Sequence, residues 1–101
     1  MMAVMFTGHL SRPVMQTEPH RWEGSVRNDQ EDRSARLLVK RKAIARQLTG
    51  LPIGTQVAIT GLLHIVPVIN DQGEPRVHLT IEVTAVLTAA SKKTFIQKLF
   101  S

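Results

Sequence analysis

The chain has no cysteine and no tyrosine, and only 4% of its 101 residues are aromatic. Without cysteine there is no disulfide framework, no thiolate zinc site and no cysteine nucleophile, so stability has to come from packing. No apolar run approaches the ~20 residues of a membrane helix. The apolar start, Met1 to Met5, is too short for a secretory signal and lacks a basic flank. These absences lead to the expectation of a cytoplasmic setting and no membrane. Catalytic signatures are missing as well. No glycine-rich phosphate loop precedes a helix, and Ser11, Ser25 and Ser34 lack a nucleophile-elbow context. His9, His20, His64 and His78 have no metal-ligand spacing. Most carboxylates lie in polar stretches, where nothing raises a pKa for acid/base work. No enzyme, no metal and no cofactor is expected, and the function must lie in what the chain binds.

What remains is a small, basic, foldable chain. Its length suits one hydrophobic core, and 43% hydrophobic with 21% charged residues is the balance of a folded domain. Thirteen Lys plus Arg against eight Asp plus Glu leave a formal charge of +5, which favours encounter with polyanions such as nucleic acid.

Along the chain, Ala3 to Leu10 reads as a strand closed by the breaker Ser11-Arg12-Pro13, with Gly8 marking a bulge or sharp coil. A second strand is expected around His20 to Arg27, then an exposed charged loop, then a third strand over Ser34 to Lys40. Arg41 to Leu48 contains good helix formers with Ile44 and Leu48 on one face, and Gly50 and Pro52 stand where a helix should stop. The runs Gln56 to Ile69 and Pro75 to Leu87, separated by residues 70–74, form a long hairpin. In the second run Val77, Leu79, Ile81, Val83, Ala85 and Leu87 alternate with mostly polar residues, as in a half-buried strand. The first run is apolar on both faces, with Leu62, Val66 and Val68 on the side a small barrel cannot bury. Those three are expected to form an oligomer interface in a homodimer or homotetramer. Residues 89–101 read as a basic amphipathic tail. Its Phe95, Ile96, Leu99 and Phe100 are a rival cover for that surface.

The residues also resemble the bacterial single-stranded DNA-binding protein (SSB) family and primosomal replication protein N-like factors. Val4 through Pro13 is similar to the family's opening strand, a hydrophobic run leading to Gly-Asn-Leu and a basic residue near proline. Ala43 through Gly61, AIARQLTGLPIGTQVAITG, is similar to its helix, turn and following strand, and Asp71-Gln72-Gly73 and Thr80-Ile81-Glu82-Val83 resemble its hairpin tip and descending strand. The resemblance implies an all-β, five-stranded OB-fold barrel over residues 1–88, with one short helix between the third and fourth strands. It implies a partner, single-stranded DNA with RNA not excluded, and a role in replication, repair or recombination. The family stacks bases on aromatics of the strands and hairpin, and the usual hairpin tryptophan is replaced here by Val68. Its acidic C-terminal tip is absent too.

The candidate contacts are basic. Arg33, Arg36, Lys40, Arg41, Lys42 and Arg46 place six positive charges in fourteen positions, a phosphate-tracking surface or a solvated face. Arg12, Arg21, Arg27 and Arg76 extend it beside the strands and hairpin. Trp22 is either a base platform next to Arg21 or a packing residue. Binding carried by charge rather than stacking is expected, with six to ten phosphate contacts losing ~10³–10⁵ in affinity between 50 and 200 mM salt. The alternative is an OB-fold assembly module with weak or no nucleic-acid binding.

Overall fold

The structure, a computed structural model, describes residues 2–88. Five strands and one helix follow in the order β1 (Met2–Glu18), β2 (Arg21–Asn28), β3 (Arg33–Val39), α1 (Lys42–Leu48), β4 (Gln56–Ile69) and β5 (Pro75–Thr88). The strands close into a barrel in the order β1-β2-β3-β5-β4, the OB-fold arrangement the resemblance implied. Tail residues 89–101, and the cover proposed for Phe95 to Phe100, lie outside the described residues.

Closure depends on β1 serving two neighbours. Its first half pairs antiparallel with β4, from Met2 opposite Leu63 to His9 opposite Gln56. Its second half pairs with β2, from His9 opposite Arg27 to Glu18 opposite Arg21. The expected break at Ser11-Arg12-Pro13 is therefore a bend within one long strand. Pro13 falls between Arg12 and Met15, where the register shifts and no ladder N–H is needed. At the handover the strands come so close that a Cβ on Gly8 would lie 2.2 Å from the Arg27 carbonyl oxygen. The β1–β2 turn is short, with Pro19 followed by His20 at φ 61°.

The ring is completed by a parallel contact in which Arg36, Leu37 and Leu38 of β3 face Thr80, Ile81 and Glu82 of β5. Inside it Leu10, Val26, Leu37, Val39, Leu48, Ile59 and Ile81 are fully buried. Each contributes about 1.5–3 kcal/mol relative to exposure. The helix has no side-chain cap and no acid in its first turn, and seven residues cannot sustain an isolated helix. Burial of Ile44, Ala45 and Leu48 holds it, with Gly50 at φ 88° turning the chain away after Thr49.

The alternation read for Val77 through Leu87 holds from Leu79 to Val83, fails at Val77, which is exposed on the outer hairpin, and reverses after Val83. Val86 is buried, whereas Ala85 and Leu87 are exposed. The cause is a β-bulge: Gly61 pairs with Val83 and Thr60 with Ala85, so Thr84 is an extra residue that moves every later side chain to the other face. Its hydroxyl donates to the Thr60 carbonyl at 3.2 Å. At the hairpin tip the Asn70 side-chain oxygen accepts from the amides of Gln72 and Glu74, each at 2.9 Å.

Candidate nucleic-acid interface

On β2 the even residues face the core and the odd ones face out, because Trp22, Gly24 and Val26 pair with Val39, Leu37 and Ala35, all buried. The outward residues form rows across the sheet. Ser25, Arg36, Thr80 and His64 make one row, and Glu23, Leu38, Glu82 and Leu62 the next. The returning half of β1 flanks this floor on one side, and the β4–β5 hairpin flanks it on the other.

Three connected clefts run over the floor. One of 750 Å³ lies against β1 and is lined by Arg12, Pro13, Met15 and Thr17 together with Glu23, Ser25 and His78. One of 520 Å³ lies under the hairpin, between Ser25, Ser34 and the side chains of Val66, Val68 and His78. The third, of 480 Å³, runs toward Arg21, Lys40, His64 and Glu82. Arg36 lines all three.

Charge on the floor is paired. The Arg36 guanidinium donates to Glu23, and Arg21 Nε stands 3.8 Å from the same carboxylate. Lys40 Nζ lies 3.3 Å and His64 Nε2 3.6 Å from the two oxygens of Glu82. Burial works to raise the Glu23 pKa, but a hydrogen bond from Thr17 and the charges of Arg36 and Arg21 outweigh it, leaving it below the usual carboxylate range. The hydrogen bond from Lys40 holds Glu82 low against its own desolvation, with His64 adding to the effect. Both acids are therefore ionised near neutral pH.

The structure gathers Arg12, Arg21, Arg36 and Lys40 around the clefts. Arg41 and Lys42 follow Lys40 directly, as the N-cap and first residue of α1, and are exposed. Among the described residues no ion pair engages Arg12, Arg41 or Lys42. Arg27 is not brought in. It sits at the far end of β2, where its guanidinium donates to Asp29 at 2.9 Å, to Ser34 at 3.2 Å and to Asp32. Arg76 stands on the outer hairpin, 3.2 Å from Glu74.

Trp22 is half-buried against the core cluster, on the opposite face from Arg21, and Phe6 packs against the same core. Neighbours on a strand point to opposite faces, so a joint Arg21–Trp22 platform does not form. The residues read as an oligomer interface lie on the outer face of β4. Val66 and Val68 wall the hairpin cleft, and Leu62 is half-buried opposite Glu82.

Sequence reasoning gave no binding role to His78, Glu23 or Glu82. The signal for two of them was present, since alternation along β5 puts His78 and Glu82 on the outer face with Arg76 and Thr80. His64 and His78 share that face but are diagonal neighbours, His64 lying opposite Thr80 and His78 opposite Val66. Among the described residues no group of His, Asp and Glu could hold a metal ion, and no helix is long and apolar enough to cross a membrane.

Comparison with solved structures finds the same architecture in single-stranded DNA-binding proteins. Rim1, a mitochondrial single-stranded DNA-binding protein from S. cerevisiae, superposes with a TM-score of 0.68 at 13% identity, over 87% of this chain and 94% of its own. A small single-stranded DNA-binding protein from Streptomyces coelicolor superposes with a TM-score of 0.61 at 15% identity, over 90% of this chain and 96% of its own. No protein-family model and no curated protein sequence matches the chain. At these identities the likeness is one of fold.

Proposed function

We propose that the chain is an SSB-like, non-catalytic protein that binds single-stranded DNA along the clefts between the β1 return and the β4–β5 hairpin. It would serve replication, repair or recombination, where single strands are exposed. The observation that carries this reading is the position of Arg36, an exposed guanidinium where three clefts of the outer sheet meet. A strand crossing there meets Arg12 at one end and Lys40, Arg41 and Lys42 at the other, and the likeness of the fold to single-stranded DNA-binding proteins supports the same use. With Trp22 and Phe6 turned to the core, the rings of His64 and His78 are the stacking surfaces that line the clefts, and affinity should be modest. A fluorescein-labelled oligo-dT of about 30 nucleotides, longer than the ~4–16 one OB fold covers, should bind with a Kd of about 1–100 µM at physiological salt and more tightly at low salt. Oligo-U serves as the RNA comparator and a duplex of the same length should bind more weakly. No anisotropy change at about 50 mM salt sinks the reading.

A second reading, assembly through the hairpin, is favoured by one observation. Beyond the barrel Ile65, Val66, Ile69 and Val77 are 58%, 44%, 77% and 60% exposed. An apolar arm of this kind is what soluble monomers avoid, and a second copy in a two-fold arrangement would cover it. Light scattering should then give a dimer or tetramer, converted to monomer by the double variant Ile65→Ser, Val77→Ser. A monodisperse monomer of the unaltered chain at micromolar concentration refutes the assembly.

A further inference from the structure

The floor of the clefts carries two acids where a polyanion site would be expected to carry none, and each is placed on cations the proposed function needs. Glu23 accepts from Arg36 and lies 3.8 Å from Arg21, while Glu82 lies 3.3 Å from Lys40 and 3.6 Å from His64. The exposures are unequal in an informative way. The carboxylates are 17% and 26% exposed, whereas Arg21, Arg36 and Lys40 are 41%, 59% and 57% exposed. The acids are seated in the floor and the cations reach down to them from solvent.

We infer that Glu23 and Glu82 set the affinity of the site by occupying, from within the chain, the place of phosphates on Arg21, Arg36 and Lys40. This deepens the single-strand reading and rests on it. A carboxylate and a phosphodiester offer the same charge-assisted acceptors to a guanidinium or ammonium. A surface ion pair is weak and exchanges readily, and an exposed side chain can swing to a passing phosphate while its acid stays in place. The acid remaining beside it repels that phosphate. The pairs therefore attenuate binding without abolishing it, keep the protein off single strands at low occupancy, and lower the number of counterions released. Both carboxylates being held below their usual pKa range fits this competition, since neither is relieved by protonation near neutral pH.

The test is gain of binding. Glu23→Gln keeps an acceptor for Thr17 and frees two cations, and Glu82→Gln frees Lys40. Glu31→Gln, an exposed position in the β2–β3 loop, makes the same change of net charge away from the clefts. Each full-length variant is titrated with the labelled oligo-dT across salt concentrations, with a thermal melt to confirm folding. Glu23→Gln should bind about tenfold tighter than the unaltered chain and steepen the log–log salt slope by about 1.4. Glu82→Gln should give about threefold and about 0.7, and Glu31→Gln should stay within about twofold. If the unaltered chain binds and neither cleft variant exceeds Glu31→Gln, the acids do not compete and the inference falls. If neither the unaltered chain nor any variant binds, the single-strand reading itself falls and takes this inference with it. Binding that appears only in the cleft variants supports it most strongly.

Discussion

Raising the salt from about 50 to about 200 mM should weaken oligo-dT binding by about fiftyfold, from a log–log slope near −3. The figure comes from counting cations able to reach phosphate. Arg12, Arg41 and Lys42 have no ion-pair partner among the described residues, and Arg36 and Lys40 are well exposed but shared with acids. About four phosphate contacts at ~0.7 counterions each give that slope for a single strand. At the same ~0.7 per contact, the six to ten contacts read from composition would cost about 300-fold to 16,000-fold over that range. The smaller value follows from structure, because Arg27 is held by Asp29, Asp32 and Ser34, and Arg76 is tied to Glu74. A loss under threefold would mean that stacking carries the binding, and one above a thousandfold that the ion pairs do not restrain the cations.

Gly8→Ala and Gly61→Ala should each destabilise the fold by about 3 kcal/mol or more, with a thermal midpoint lower by about 12–24 °C. A Cβ at Gly61 would lie 2.1 Å from the Glu82 carbonyl oxygen, and one at Gly8 2.2 Å from that of Arg27. Both obstacles are backbone of the facing strand, so relief requires the barrel wall to move. These are the handover of β1 from β4 to β2 and the bulge of β5 against β4, the two places where a small barrel bends to close. Gly73→Ala is the control. It sits at the hairpin tip with nothing within 4 Å, and its φ of 78° should cost only about 1–2 kcal/mol. Equal melting of all three variants would show that close approach at the barrel seams is not what these glycines provide.

Much of the architecture was legible in the residues, and the failures have a common cause. Strands β2 to β5, the helix and the hairpin loop stand within a residue or two of where alternation, Gly50 and the 70–74 loop placed them. Hydrophobic period and turn residues are local signals, and these elements obey them. Two errors of the fold reading were irregularities within a continuing strand. Pro13 reads as a stop but sits at a register shift, and Thr84 looks like an ordinary outward residue but is a bulge that reverses the alternation. A bulge exists only relative to the partner strand, so no local pattern announces it.

The site was legible by residue type but not by grouping. Basic side chains were easy to count, and four of the nine assigned nucleic-acid residues, Arg12, Arg21, Arg36 and Lys40, line the clefts. Arg27 was indistinguishable from them until the β2–β3 loop brought two aspartates onto it. Trp22 carried a parity that was legible, because Trp22, Gly24 and Val26 alternate with Arg21, Glu23, Ser25 and Arg27 and so share the core face. The pairing of Glu23 with Arg36 joins residues thirteen apart across two strands, a register that only the folded sheet defines.

The claim that the clefts around Arg36 are where a single strand binds is tested most directly by mapping amide chemical shifts of the ¹⁵N-labelled chain as oligo-dT is added. The account predicts the largest changes at Ser25, Arg36, His78 and Thr80, with Arg12 and Lys40 following, and little change at Gly50, Gly54 or the loop from Asp29 to Asp32. Changes centred instead on the outer side of β1, β4 and β5, at Met5, Ala58 and Leu87, or no change at all, would contradict it.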